Sequence, residues 1–145
     1  MSAVNETMRK FGYPRTTLIE TPHWVVLVRP QQPTLGALVL ACREPVKRLS
    51  DVSAEAFLEM KTLVGRIEDG LKVQFAYDKI NYLCLMMVDP DVHFHVIPRY
   101  ATPRDFEGVA FADAGWPAVP SLGQFPALDD AVFDRLIARL RQALA

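Results

Sequence analysis

The chain has 145 residues, enough for one compact domain. Half of them are hydrophobic and 23% are charged, a balance that excludes a disordered or low-complexity chain. A formal net charge of −1 provides no global field to recruit a nucleic-acid polymer or an anionic membrane, so an anionic ligand must be held by local groups.

In chain order, residues 1–14 read as a polar N-terminal arm ending at Gly12 and Pro14, without an apolar signal-peptide core. No apolar run approaches the ~18 residues of a membrane span, and a cytoplasmic protein is expected. Residues 16–20 are β-prone, and residues 23–28 (HWVVLV) are a stronger strand signal, rich in aromatic and β-branched side chains. Pro30 and Pro33 mark a loop. Residues 35–42 (LGALVLAC) then read as a buried strand. The short connections favour antiparallel neighbours. A helix follows, with Ser53 as N-cap, Glu55 in the first turn and an apolar stripe of Phe57, Met60, Val64, Ile67 and Leu71; Gly70 weakens its end. Residues 80–88 (INYLCLMMV) read as a strand closed by the Asp89-Pro90 turn, and as core or interface rather than cofactor pocket. Residues 91–97 (DVHFHVI) alternate strictly, and Pro98 is expected to end that strand. Residues 100–127 read as a long ordered loop held by Phe106, Phe111, Trp116 and Phe125. Asp129 or Asp130 caps a last helix with the stripe Val132, Leu136, Leu140 and Leu144.

The expected fold is therefore α+β, an antiparallel sheet of about five strands with a long helix and a C-terminal helix packed on it. The expected organisation is an arm over 1–14, a core over 15–100, and a loop and helix over 101–145 belonging to the same domain. Cys42 and Cys84 form no CxxC motif and read as buried free thiols. His23 reads as a structural strand-end histidine.

The segment that carries chemistry is DVHFHVIPR, residues 91–99. Strand side chains alternate faces, which groups Asp91, His93 and His95 on one side, successive members roughly 7 Å apart, and leaves Val92, Phe94 and Val96 for the core. A neutral imidazole nitrogen is nucleophilic near pH 7 and can attack phosphorus to form a phosphoramidate that water then cleaves. A second imidazole, if protonated, stabilises charge on the phosphate oxygens. A carboxylate nearby can orient a ring or favour imidazolium. Carboxylate and imidazole on one face also suit a divalent metal; that rival lacks an evident fourth ligand, His23 being the only candidate.

This segment resembles the signature of the histidine-triad (HIT) superfamily of nucleotide-binding hydrolases and transferases, His-φ-His-φ-His-φ-φ with φ apolar, on the last strand of the sheet. DVHFHVI matches it except at the first position, where Asp91 stands for histidine. Upstream, LVRPQQPTLGALVLACREPVKRLSDVSAEAF is similar to the family's strand-loop-strand-helix segment, and the resemblance spans about residues 17–100. It implies a HIT-like fold, His93 as nucleophile, His95 as phosphate stabiliser, and Asp91 in place of an imidazole whose role does not transfer. A further family histidine falls on Ala37, so that group is absent. The resemblance suggests Arg29 near the ribose. Asn81 reads equally as a ligand contact or as a backbone partner, and Arg99 as facing phosphate or solvent. Trp116 reads as packing, with stacking over a base at a neighbouring site as the alternative.

The resemblance further implies a homodimer joining two sheets. The expected activity is hydrolysis or nucleotidyl transfer on a dinucleoside polyphosphate or nucleoside phosphoramidate through a nucleotidyl-histidine, with no metal or other cofactor. Losing two accessory groups, at Asp91 and Ala37, could lower turnover by about 10²–10⁴. A nucleotide-binding regulatory dimer with little catalysis is the alternative.

Overall fold

The computed structural model describes residues 4–145. A short helix α1 (Glu6–Lys10) precedes strands β1 (Thr17–Glu20), β2 (Trp24–Val28) and β3 (Leu38–Cys42). Helix α2 (Ala54–Phe75) leads to β4 (Lys79–Leu83) and β5 (His93–Arg99). A small hairpin, β6 (Arg104–Phe106) and β7 (Val109–Phe111), and helix α3 (Asp130–Ala143) complete the chain. The five long strands form one antiparallel sheet in the order β1-β2-β3-β5-β4, which is the α+β architecture expected from the sequence.

The sheet is covered on both faces. Trp24, Val26, Leu38, Leu40, Phe94 and Val96 pack under α2 and α3, where Leu63, Ile67, Leu71, Leu136 and Leu140 supply the opposing surface. Val25, Leu27, Val39 and Ala41 point the other way and are capped by Met8 and Phe11. That second layer is why β2 and β3 are apolar at every position instead of alternating. The segment read as an arm thus contributes a helix that shields the sheet; its first three residues lie outside the described ones.

Ser53 caps α2, its Oγ accepting from the Ala56 amide at 3.1 Å, and Asp129 caps α3 through the Val132 amide at 2.8 Å. The buried stripe of α2 runs through Ala56, Leu63, Ile67, Leu71 and Phe75, turned from the expected one, so that Phe57 is exposed. The helix runs on past Gly70 to Phe75, and a Cβ at Gly70 would lie 2.5 Å from the Ala143 carbonyl oxygen of α3. Helix propensity alone favours Gly70→Ala by about 1 kcal/mol. The overlap with backbone reverses that, and we expect a net loss of about 1–3 kcal/mol, read as a lowered urea midpoint.

Three boundaries differ from expectation. β4 stops at Leu83, and Met86 adopts a left-handed φ of 48°. β5 begins at His93 and continues through Pro98 to Arg99; pairing with β3 ends at Leu38 opposite Val96, so Pro98 has only β4 beside it. Within residues 100–127 the chain forms the β6–β7 hairpin, whose turn residues Glu107 and Gly108 both have positive φ.

Candidate functional site

β5 alternates as expected from His93 onward. Phe94 and Val96 enter the main core, and His93 and His95 stand on the α1 side opposite Ala41 and Val39. Their rings meet edge to face with centroids 5.1 Å apart. Both are almost fully buried, yet they line a hollow of about 270 Å³ shared with Lys10, Phe11, Arg29, Met86 and Asp89.

His93 Nδ1 lies 2.7 Å from the Asp91 carbonyl oxygen. A carbonyl oxygen only accepts, so in the neutral ring the proton resides on Nδ1 and the lone pair on Nε2. Arg29 follows β2 and reaches the same hollow. Its Nη1 donates to the Gln31 carbonyl at 2.7 Å, and its Nε is buried without a hydrogen-bond partner among the described residues. Nδ1 of His95 is likewise buried and unpartnered. Two orphaned polar atoms beside one hollow are groups whose desolvation a bound anion would offset. Lys10 is paired with Asp89 at 2.8 Å, which leaves Arg29 as the main uncompensated cation.

Burial, followed by the nearby charge of Arg29, His93 and Lys10, pushes the His95 imidazole down to about 4. A protonated second imidazole is therefore not the resting state, and fixed positive charge comes from Arg29 instead. In an unfolded chain the ring takes a proton below about 6.5, so between these values protons favour the unfolded state. Stability should fall as pH drops from about 6.5 to 4, by on the order of 3 kcal/mol at most, and His95→Gln should flatten that portion of a denaturation series.

The Asp91 carboxylate turns to the α1 side, as the two imidazoles do, while its neighbour Val92 lies in the main core. Neither imidazole Nδ1 takes that carboxylate as a partner, since His93 Nδ1 lies at the Asp91 carbonyl oxygen and His95 Nδ1 is unpartnered among the described residues. The carboxylate instead accepts from Thr7 Oγ1 at 2.9 Å and Lys47 Nζ at 2.7 Å. Burial raises its affinity for a proton, but these hydrogen bonds and the lysine charge outweigh burial and hold it below the usual carboxylate value.

Asn81 and Arg99 also lie away from the histidine hollow. Arg99 is buried: Nη1 donates to Asn81 Oδ1 at 2.7 Å, Nε to Asp113 Oδ2 at 2.7 Å and Nη2 to the Ala118 carbonyl at 2.8 Å. This cluster fastens residues 113–118 to the sheet beside a separate groove lined by Trp116 and Val119. Neither of the two phosphate- or ligand-facing readings is therefore met at His93. His23 is held by Glu59, its Nδ1 at 3.1 Å from Oε1. Among the described residues no three His, Cys, Asp or Glu side chains group to hold a metal ion. Cys42 is buried and Cys84 partly so, both as free thiols.

Four contributors were not anticipated from sequence: Lys10, Phe11, Thr7 and Gln32. Gln32 is buried; it donates to the carbonyls of Arg29 and Ala37 and accepts from the Gly36 amide, fixing the loop that aims Arg29. The unbroken apolarity of β2 and β3 was the available sign that something covers this face; Thr7 and Gln32 carry no such signal.

A family model described as HIT domain matches residues 11–102. The chain belongs to the HIT family. This HIT protein superposes on a histidine triad protein from Bradyrhizobium japonicum with a TM-score of 0.76 and 23% identity, covering 99% of this chain and 98% of that one. A histidine triad protein from Marinobacter aquaeolei VT8 gives 0.75 at 20% identity, covering 99% and 96%. One from Sinorhizobium meliloti 1021 gives 0.74 at 18%, covering 98% and 96%. At these identities the likeness establishes the fold. Among curated proteins none matches the chain. The family comprises nucleotide-binding hydrolases and transferases, some members being non-catalytic. In this HIT protein no helix of the described residues is long and apolar enough to cross a membrane.

Proposed function

We propose that this HIT protein hydrolyses, or transfers the nucleotidyl group of, a nucleoside monophosphate joined to a leaving group through a phosphoanhydride or phosphoramidate bond. The observation that carries the reading is the 2.7 Å bond from His93 Nδ1 to the Asp91 carbonyl, which leaves Nε2 unprotonated. Nε2 attacks the α-phosphorus, an N–P bond forms, and the bond to the leaving group breaks with its electron pair. The Asp91 carbonyl then faces the Nδ1–H of a ring that has become cationic, and stabilises it. Water cleaves the N–P bond, releases the nucleoside monophosphate and restores the imidazole.

Arg29 and the neutral His95 ring stabilise the phosphate oxygens, with Arg29 replacing the charge that His95 lacks at rest. The Asp91 carbonyl fixes the tautomer of His93. Asn81 and Arg99 serve the sheet and loop, away from the hollow. The expected partner is a second copy of the chain, for which edge strand β4 leaves backbone groups available. A cytoplasmic location fits this chemistry.

Ala37, buried and offering only a methyl group where relatives carry a further histidine, favours the second reading of a nucleotide-binding dimer with little turnover. Incubating the pure protein with a labelled dinucleoside polyphosphate and a nucleoside phosphoramidate separates the two. Turnover that His93→Ala removes supports the enzyme; nucleotide binding with no wild-type turnover supports the binder.

A further inference from the structure

We propose that Asp91 is a positioning residue: its carboxylate latches α1 through Thr7, so that Phe11 and Lys10 wall the hollow at His93 and His95. The inference rests on reading that hollow as the reactive site.

α1 has five residues, too few to be stable as an isolated helix, so its place depends on anchors. Besides the ion pair of Lys10 with Asp89, three are visible. Met8 is fully buried against the sheet, Asn5 Nδ2 donates to the Cys42 carbonyl at 3.1 Å, and the buried Thr7 hydroxyl donates to Asp91 Oδ2 at 2.9 Å. Of these three, only Thr7 joins α1 to the segment that enters β5. The same carboxylate takes Lys47 from the β3–α2 connection on its other oxygen, at 2.7 Å. A neutral imidazole has one acceptor nitrogen and could not receive both donors; a carboxylate does. The replacement of histidine by Asp91 and the presence of a docked α1 thus fit together. The family match begins at residue 11, so α1 lies outside it.

Immediately after α1, Phe11 sets its ring centroid 5.9 Å from that of His93 and 5.7 Å from that of His95. One side chain packs against both imidazoles. The charged groups acting on His95 are Arg29, His93 and Lys10, which oppose its protonation, and Asp89, which favours it. Releasing α1 removes Lys10 and the cover of Phe11 together, so the latch should be visible in how His95 titrates.

The test uses the full chain and Thr7→Val, which removes the latching hydroxyl with little change of shape, beside Asp91→Asn, which keeps an acceptor for it, and Asp91→Ala. Amide exchange at Phe11, Gly12 and Tyr13 and the ring titration of His95 are followed by NMR, with kcat and KM measured on a nucleoside phosphoramidate. In Thr7→Val the three amides should exchange about tenfold faster while β5 amides do not change. The His95 midpoint should move up toward the ordinary imidazole range, and kcat should fall more than KM rises. Asp91→Asn should stay nearer wild type than Asp91→Ala. Unaltered exchange and an unaltered His95 midpoint in Thr7→Val would overturn the latch even if Asp91→Ala fails to fold. Undiminished turnover in His93→Ala would remove the reactive-site reading while the exchange result still stood or fell by itself.

Discussion

Replacing His93 by alanine should lower kcat on a nucleoside phosphoramidate or dinucleoside polyphosphate by at least about 10³-fold, with nucleotide affinity changed far less. The ring is the only one in the hollow whose Nδ1 is committed to a carbonyl and whose Nε2 is consequently free to attack. Arg29, Gln31 and the other residues lining the hollow are untouched by the substitution, so the groups proposed to receive the phosphate persist. A parallel loss of kcat and affinity would instead indicate collapse of the hollow. Calorimetric titration with a nucleoside monophosphate, alongside initial rates, separates these outcomes.

The largest effect on stability is expected at Arg99→Met, a loss of about 3–5 kcal/mol. Arg99 and Asp113 side chains are 5% and 1% exposed, with Nε to Oδ2 at 2.7 Å and Nη2 to Oδ1 at 3.1 Å. Removing the guanidinium strands a buried carboxylate, and also deprives Asn81 Oδ1 and the Ala118 carbonyl of their donor. The Asp113 carboxylate would retain only the Tyr100 amide at 3.1 Å. Because an uncompensated charge is costlier than no pair at all, Arg99→Met combined with Asp113→Leu should lose less than Arg99→Met alone. Guanidinium denaturation of the three proteins reads this directly; a double variant weaker than the single one would contradict a charge-based cause.

Periodicity was enough to read the sheet, the two long helices and the facing of His93 and His95, because a two-residue repeat and a helical stripe are local properties of the chain. The resemblance supplied Arg29, and the structure brings it to the same hollow. What was not legible depended on partners far away in sequence. Alternation put Asp91 on the side of the imidazoles, but no local pattern announces that its carboxylate is taken up by Thr7 and Lys47, 84 and 44 residues distant. Arg99 was given a ligand or solvent, whereas Asp113 lies in a loop whose path no pattern announces. Residues 1–14 read only as an arm because the five residues of α1 are too few to show a helical stripe; the demand for a cover was written in β2 and β3, at Val25, Leu27, Val39 and Ala41.

A covalent nucleotidyl-histidine is best tested by intact and peptide mass spectrometry after rapid mixing with a nucleoside phosphoramidate and quenching in base, where an N–P bond survives. One nucleotidyl group per chain, mapped to His93 and absent from His93→Ala, is the expected result. Steady turnover with no adduct, retained when His93 is replaced, would contradict nucleophilic catalysis by this ring.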